Sequence, residues 1–316
     1  MLIKYLISFI VFIFSLQSFA QLSDAERSTY RNIEDSIRSI QLRVFHSKKT
    51  ANKIEANKQF LAIWNSTLKD EKSMLYPFDS IKKDNDISIL VSPDKKFRII
   101  TWNIVREDET HGYFGFLQVN NSKTIKKGLF NNETTMQYDL YPLVDKSASI
   151  SNSETYLGDP SKWFGMLYYG EVIKLNDEFY TLFGWDGNTK ITQRKFIDIL
   201  WFKPDGTPQF GKDVFKIGNK FNKRVMFEYA SEVAMSLKFN SLRKQIIYSH
   251  LAPNTPDPAL EGQFQYYGPD GTYDALSMKK DKWTLEADID IRKDKDKNDN
   301  AKKPEIEKQT PVYKPK

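Results

Sequence analysis

Between Gln21 and Tyr76 the apolar positions fall at helical spacing. Ile33, Ile37, Ile40 and Val44 form one stripe, and Ile54, Leu61, Trp64 and Leu68 form a second, with Lys58 as its polar exception. Residues three and four apart share a helix face, so each stripe predicts an amphipathic helix. Ser23 followed by Glu26 has the spacing of a capping box, and no Gly or Pro interrupts the stretch. Two helices are therefore expected over 22–72, separated at Lys48-Lys49 and the polar stretch around Asn52. Each has one apolar stripe, which must be covered by the other helix or by the sheet that follows.

After Pro77 the period changes to two and turn residues punctuate the chain. Strands are expected at 87–91, 97–105, 113–119, 136–143, 166–175, 179–185, 196–202, 209–217, 224–229, 234–239, 245–250, 263–267, 272–276 and 283–289. Asn176-Asp-Glu178, Lys203-Pro-Asp-Gly-Thr207 and Gly268-Pro-Asp-Gly271 read as hairpin turns. Short strands with no helix between them predict a mainly β fold, an antiparallel meander preceded by the N-terminal helical pair. Its edges would close as a small propeller or as a curled sandwich or barrel. Ser92-Pro-Asp-Lys95 leading into Phe97 resembles a propeller-blade strand, although no clean period of about 40 residues recurs.

The first twenty residues have another character. Lys4 precedes an apolar run from Leu6 to Leu16, and Ser18-Phe19-Ala20 places small residues before Gln21. That is the layout of a secretory signal peptide cut after Ala20, and the run is too short to span a bilayer. The expected organisation is a signal peptide at 1–20, a helical segment at 21–75, an antiparallel β domain at 76–291 and a disordered charged tail at 292–316. The tail is rich in Lys, Asp and Pro and holds too few apolar residues to offset the entropy of ordering. The expected location is periplasmic or extracellular, with no stable membrane insertion after cleavage. The chain has no cysteine, which excludes disulfides, thiolate metal sites and a lipidated N-terminal cysteine.

Charge changes the picture less than it promises. The formal net charge is +6, of which Lys4 supplies one and residues 292–316, with nine Lys/Arg against five Asp/Glu, supply four. About +1 remains on the body, too little field to gather a polyphosphate, so no nucleic-acid partner is expected.

Aromatic residues make up 14% of the chain, which suits strands and also suits sugar-stacking surfaces. The three histidines, His46, His111 and His250, form no zinc-binding motif, and neither a nucleophile elbow nor a phosphate-binding loop is present. No metal or cofactor is expected, and no catalytic residue is legible. Dense polar and aromatic turns nominate Trp185, Asp186, Asn188, His250, Tyr267, Asp270 and Asp274 as ligand-binding residues.

The strings FGWDGN, FEYASEVAMSLKFN, HLAP and YYGPDGTYDAL, spread over 168–292, resemble those of a family of uncharacterised exported proteins from Bacteroidota-type bacteria. The resemblance implies an envelope or secreted location and no particular activity. The function expected is a non-enzymatic binding or interaction protein of the envelope, its partner a glycan or an envelope protein, with Trp185 and Tyr267 on the contact surface. The alternative is a glycan-active hydrolase using Asp186, Asp270 or Asp274, which needs two carboxylates roughly 5–10 Å apart in a cleft. A propeller holding a ligand in its central channel is a third reading.

Overall fold

The computed structural model describes residues 21–292, apart from Asn85, residues 128–130 and Met136. The expected leader and the tail beyond Arg292 lie outside the described residues, as does the first residue of the strand expected at 136–143. No described helix is long and apolar enough to cross a membrane.

Helix α1 spans Asp24–His46 and α2 spans Thr50–Lys69. The capping box forms: Glu26 N donates to Ser23 Oγ at 3.3 Å while Ser23 N donates to Glu26 Oε2 at 2.7 Å. The chain leaves α1 at Ser47 and re-enters helix at Thr50, so Asn52 lies inside α2 rather than between the helices. The α2 stripe is displaced from its expected start. Ala56, Asn57, Phe60, Trp64, Thr67 and Leu68 are buried, whereas Ile54 is 43% exposed.

Seventeen strands are described: β1 (Ile87–Val91), β2 (Phe97–Val105), β3 (His111–Asn120), β4 (Lys123–Lys127), β5 (Asn131–Thr135), β6 (Tyr138–Val144), β7 (Leu167–Ile173), β8 (Tyr180–Asp186), β9 (Thr192–Phe202), β10 (Pro208–Phe210), β11 (Phe215–Ile217), β12 (Lys220–Asn222), β13 (Val225–Ala230), β14 (Leu237–Asn240), β15 (Gln245–Pro253), β16 (Tyr267–Lys279) and β17 (Lys282–Glu286). The first sheet is ordered β1-β2-β3-β6, with β4 and β5 as a separate ribbon. The second is ordered β10-β9-β8-β7, and β13 joins β9 beside β10. The third is ordered β12-β11-β17-β16-β15-β14. All three strand orders are open paths.

Side-chain alternation turns these sheets into layers. On β2, Ile100, Trp102 and Ile104 pack with α1 and α2, while Phe97 and Ile99 point to the opposite core. On the second sheet, Leu182, Phe196 and Leu200 meet the first sheet, while Phe183, Ile197 and Ile199 meet the third. The order is helices, first sheet, second sheet, third sheet, with a hydrophobic core at each junction. Strands covered on both faces read as near-continuous apolar runs, and β2, β8 and β9 follow that pattern, broken by the buried polar groups Arg98, Thr181 and Asp198. Trp64 and Trp102 anchor the first core, Trp163 the second and Trp283 the third, all fully buried. Each such side chain contributes on the order of 1.5–3 kcal/mol by leaving water. The Trp102 indole N–H donates to Asn57 Oδ1 at 2.8 Å, tying α2 to the sheet.

Five expectations change. The strand expected over 209–217 divides: the backbone turns at Gly211, φ +89°, so that β10 pairs with β9 in the second sheet while β11 pairs with β17 in the third. Residues 224–229 do not extend a meander; β13 returns to pair with β9. The third sheet is mixed, since β11 pairs with β17 in parallel. Residues 264–266 are a 3₁₀ turn, and Gly268-Pro-Asp-Gly271 is no hairpin turn. It lies inside β16, where pairing runs Leu251↔Pro269, then resumes at Ser249↔Tyr273. The intervening residues bulge opposite His250, and Gly271, at φ +92°, takes the left-handed turn this requires.

A buried ion pair sits within the layers. Arg224 Nη2 lies 2.8 Å from Asp198 Oδ1, both side chains without solvent exposure. Tyr168 donates its hydroxyl to Asp198 Oδ2 at 2.7 Å, and Arg224 Nη1 donates to the Ser153 carbonyl at 2.6 Å. Burial holds the Tyr168 phenol far above its ordinary value.

Candidate functional site

The residues nominated from sequence separate into two groups. Trp185 and Asp186 end β8 and Asn188 follows in the turn after it, and His250, Asp270 and Asp274 sit on β15 and β16 of the next sheet, with Tyr267 at the start of β16. The groups flank a common turn. Trp185 Nε1 donates to Gln193 Oε1 at 2.9 Å, and Gln193 Nε2 donates to the carbonyls of Ser231 and Val233. The Val233 side chain in turn lies against Gly268.

At the first corner the polar groups satisfy one another. Buried Asp186 accepts from the Tyr113 hydroxyl at 2.7 Å and from Asn188 N at 2.8 Å, and Arg194 lies 3.9 Å away. Gly187 N donates back to the Tyr113 hydroxyl at 2.9 Å. Arg194 Nε donates to Glu228 Oε2 at 2.7 Å, while Asn188 Nδ2 and Thr192 Oγ1 both donate to Glu228 Oε1. The imidazole of His111 stands edge-on to Trp185 and within 2.9 Å of Asn103 Nδ2. It lies so close to Gly187 that a Cβ there would overlap the ring. Burial lowers the His111 pKa below the ordinary histidine value. The Trp185 ring is half-buried, wedged rather than displayed.

At the second group, His250 Nδ1 pairs with Asp274 Oδ2 at 2.9 Å, and Asp274 Oδ1 accepts from Asp288 N at 2.9 Å. The hydrogen bond to Asp274 raises the His250 pKa. Asp270 accepts from Thr272 N and Oγ within the bulge. The Tyr267 hydroxyl accepts from Gly262 N at 3.3 Å, and its ring packs against the third core. Each nominated carboxylate is thus engaged in holding local backbone or a basic side chain. Among the described residues, no three His, Asp or Glu side chains converge as a metal-ligand set.

A cavity of about 670 Å³ opens elsewhere, between the start of α1, the segment 74–77 and the edge of the first sheet. Its walls include Leu22, Met74, Leu75 and Val91, and one of its floor residues is Arg98. That side chain is 1% exposed. It points toward the helices because it alternates with Phe97 and Ile99 along β2. Arg98 Nη1 donates to the Tyr76 carbonyl at 2.9 Å and Nη2 to Gln118 Oε1 at 2.6 Å. Its Nε has no hydrogen-bond partner, and Arg98 makes no ion pair among the described residues. Burial without a counter-charge pushes its pKa down to about 9. The guanidinium lies 5.1 Å over the ring of Phe78, a buried residue with φ +53°. A bulky side chain in the left-handed region is strained, and such strain concentrates at ligand sites.

Sequence reasoning missed this cavity. The readable signal was an arginine set within the apolar run Phe97-Arg-Ile-Ile-Thr-Trp102, on a strand covered on both faces.

No protein-family model, no curated protein and no solved structure matches the chain.

Proposed function

We propose that the protein is an exported, non-enzymatic binding protein of the bacterial envelope, with its ligand in the cavity around Arg98. One observation carries this reading: a guanidinium stripped of water and lacking a carboxylate forms part of the wall of a cavity of about 670 Å³. Small-molecule sites have this size and this make-up, apolar walls with a few placed polar groups. An uncompensated buried charge is costly, and a ligand that neutralises it repays that cost on binding.

Delivery outside the cytoplasm is supported by the pattern of residues 1–20, by the absence of cysteine and by the resemblance over 168–292 to exported proteins. The face-to-face layering favours closure as a sandwich, because both faces of the middle sheet are covered without a ring. A glycan or an envelope protein contacting Trp185 and Tyr267 would meet only the outer edges of those half-buried rings.

Native mass spectrometry of the purified protein tests the reading, beside a Leu75→Trp variant. Leu75 is 38% exposed and lines the cavity, so the indole fills the mouth without entering the core. A small molecule taken up from an envelope lipid extract by the wild type and not by the variant is expected. Equal uptake by both, or none by the wild type, overturns the proposal.

A further inference from the structure

We infer that the Arg98 cavity takes a single-chain amphiphile with a carboxylate head, the head against Arg98 and the chain along the apolar wall. The inference rests on the binding reading above and names the chemistry of the ligand.

Charge selects the head. Four cations line the cavity, Arg27, Lys82, Lys95 and Arg98, against one carboxylate, Asp94. That carboxylate is already engaged, accepting from the Tyr180 hydroxyl at 2.7 Å and the Ser92 hydroxyl at 2.8 Å. Lys82 is drawn toward Asp79 at 3.1 Å, and Arg27 Nε donates to the Leu22 carbonyl at 3.2 Å. Arg98 is the cation held deepest. Its planar fork suits the two oxygens of a carboxylate, and charge-assisted bonds of this kind are roughly twice as strong as neutral ones. Nη1 and Nη2 already donate within the protein and Nε does not, so the deep site has few donors left for a head group; a phosphate's further oxygens would have to be met by the outer cations Arg27, Lys82 and Lys95.

Shape and polarity select the tail. Leu22, Met74, Leu75, Pro77 and Val91 give the wall an apolar surface larger than its polar one. Van der Waals contact and release of water from that surface reward a hydrocarbon chain. Phe78 completes the arrangement from behind, its strained backbone holding the ring beneath the guanidinium. Arg98 cannot then withdraw from the cavity without unpacking the first core.

The test is titration calorimetry with probes of one chain length and different heads: dodecanoate, dodecanol and dodecyltrimethylammonium, each below its micelle concentration. Wild-type protein, Arg98→Met and Leu75→Trp are compared. Dodecanoate should bind at least tenfold more tightly than the neutral and cationic probes. Arg98→Met should weaken dodecanoate at least tenfold and leave dodecanol unchanged, and Leu75→Trp should abolish binding of all probes. Equal affinity for the three heads, still blocked by Leu75→Trp, overturns the carboxylate inference and leaves the cavity reading standing. Dodecanoate binding that Leu75→Trp does not alter, or no binding of any probe, overturns both. The comparison of heads on the wild type needs no variant, so a folding defect in Arg98→Met cannot shield the inference.

Discussion

Arg224 and Asp198 meet 2.8 Å apart with neither side chain exposed to water. Each is satisfied largely by the other, so removal of one strands the other. Arg224→Met should destabilise the protein by about 3–5 kcal/mol, the range for breaking a buried pair from one side. The double variant Arg224→Met/Asp198→Leu should lose less than either single change. Urea denaturation of the three variants gives the coupling, and strictly additive losses would contradict the pairing.

Tyr113 bridges the first and second sheets through a hydroxyl that donates to Asp186 and accepts from Gly187 N. Tyr113→Phe keeps the ring and leaves both partners short of a bond in a buried place. A loss of about 1–3 kcal/mol is expected, with the denaturant slope unchanged.

Gly187 faces the His111 ring with no room for a methyl group. Gly187→Ala should push the imidazole from Asn103 toward solvent, at a cost of about 1–3 kcal/mol. Because burial is what lowers the His111 pKa, the titration midpoint of that histidine, followed by NMR, should rise in the variant. An unmoved midpoint would show that the ring had not been displaced.

The two histidines set opposing pH dependences. His250 has a folded pKa raised by Asp274, so its contribution is fully present below the unfolded value near 6.5 and fades as pH rises through the folded value. His111 has a folded pKa lowered by burial, so its contribution is present above about 6.5 and is lost as pH falls through that value toward the folded one. His250→Gln should therefore make stability rise more steeply with pH across the neutral range. The effect of His250 is small, because its side chain is 47% exposed and solvent screens the pair. Thermal melts between pH 5 and 8 measure both slopes.

Trp185 is wedged between His111 and Gln193 rather than displayed. Trp185→Ala should cost on the order of 1–3 kcal/mol, below the range for a fully buried tryptophan. A melting temperature within a degree or two of wild type would return the ring to the role of a surface contact.

The helices and most strands were legible because their signals are local. The Ser23–Glu26 box, the spacing of Ile37, Ile40 and Val44, and the Lys203–Thr207 turn all act within a few residues. Misreadings arose where partners lie far apart in sequence. Gly268-Pro-Asp-Gly271 has turn chemistry and makes a bulge, because β15 continues past it and supplies partners on both sides. Residues 209–217 read as one strand, and only pairing with β9 at one end and with the later β17 at the other divides them between two sheets. Trp185 and Asp186 were found as polar turn residues, but their partners Tyr113 and His111 come from another sheet. Nothing local marks Arg98 as buried: its face of β2 is covered by α1 and α2, elements distant in sequence.

The parallel pairing of β17 with β11 has a bearing on the order of assembly. Strand β17 is threaded between β11 and β16 and carries Trp283 into the third core. A nascent chain that has yet to emerge past Glu286 lacks its keystone. The outermost layer must wait with its apolar face uncovered, and the long reach back to Phe215 makes this a slow closing step.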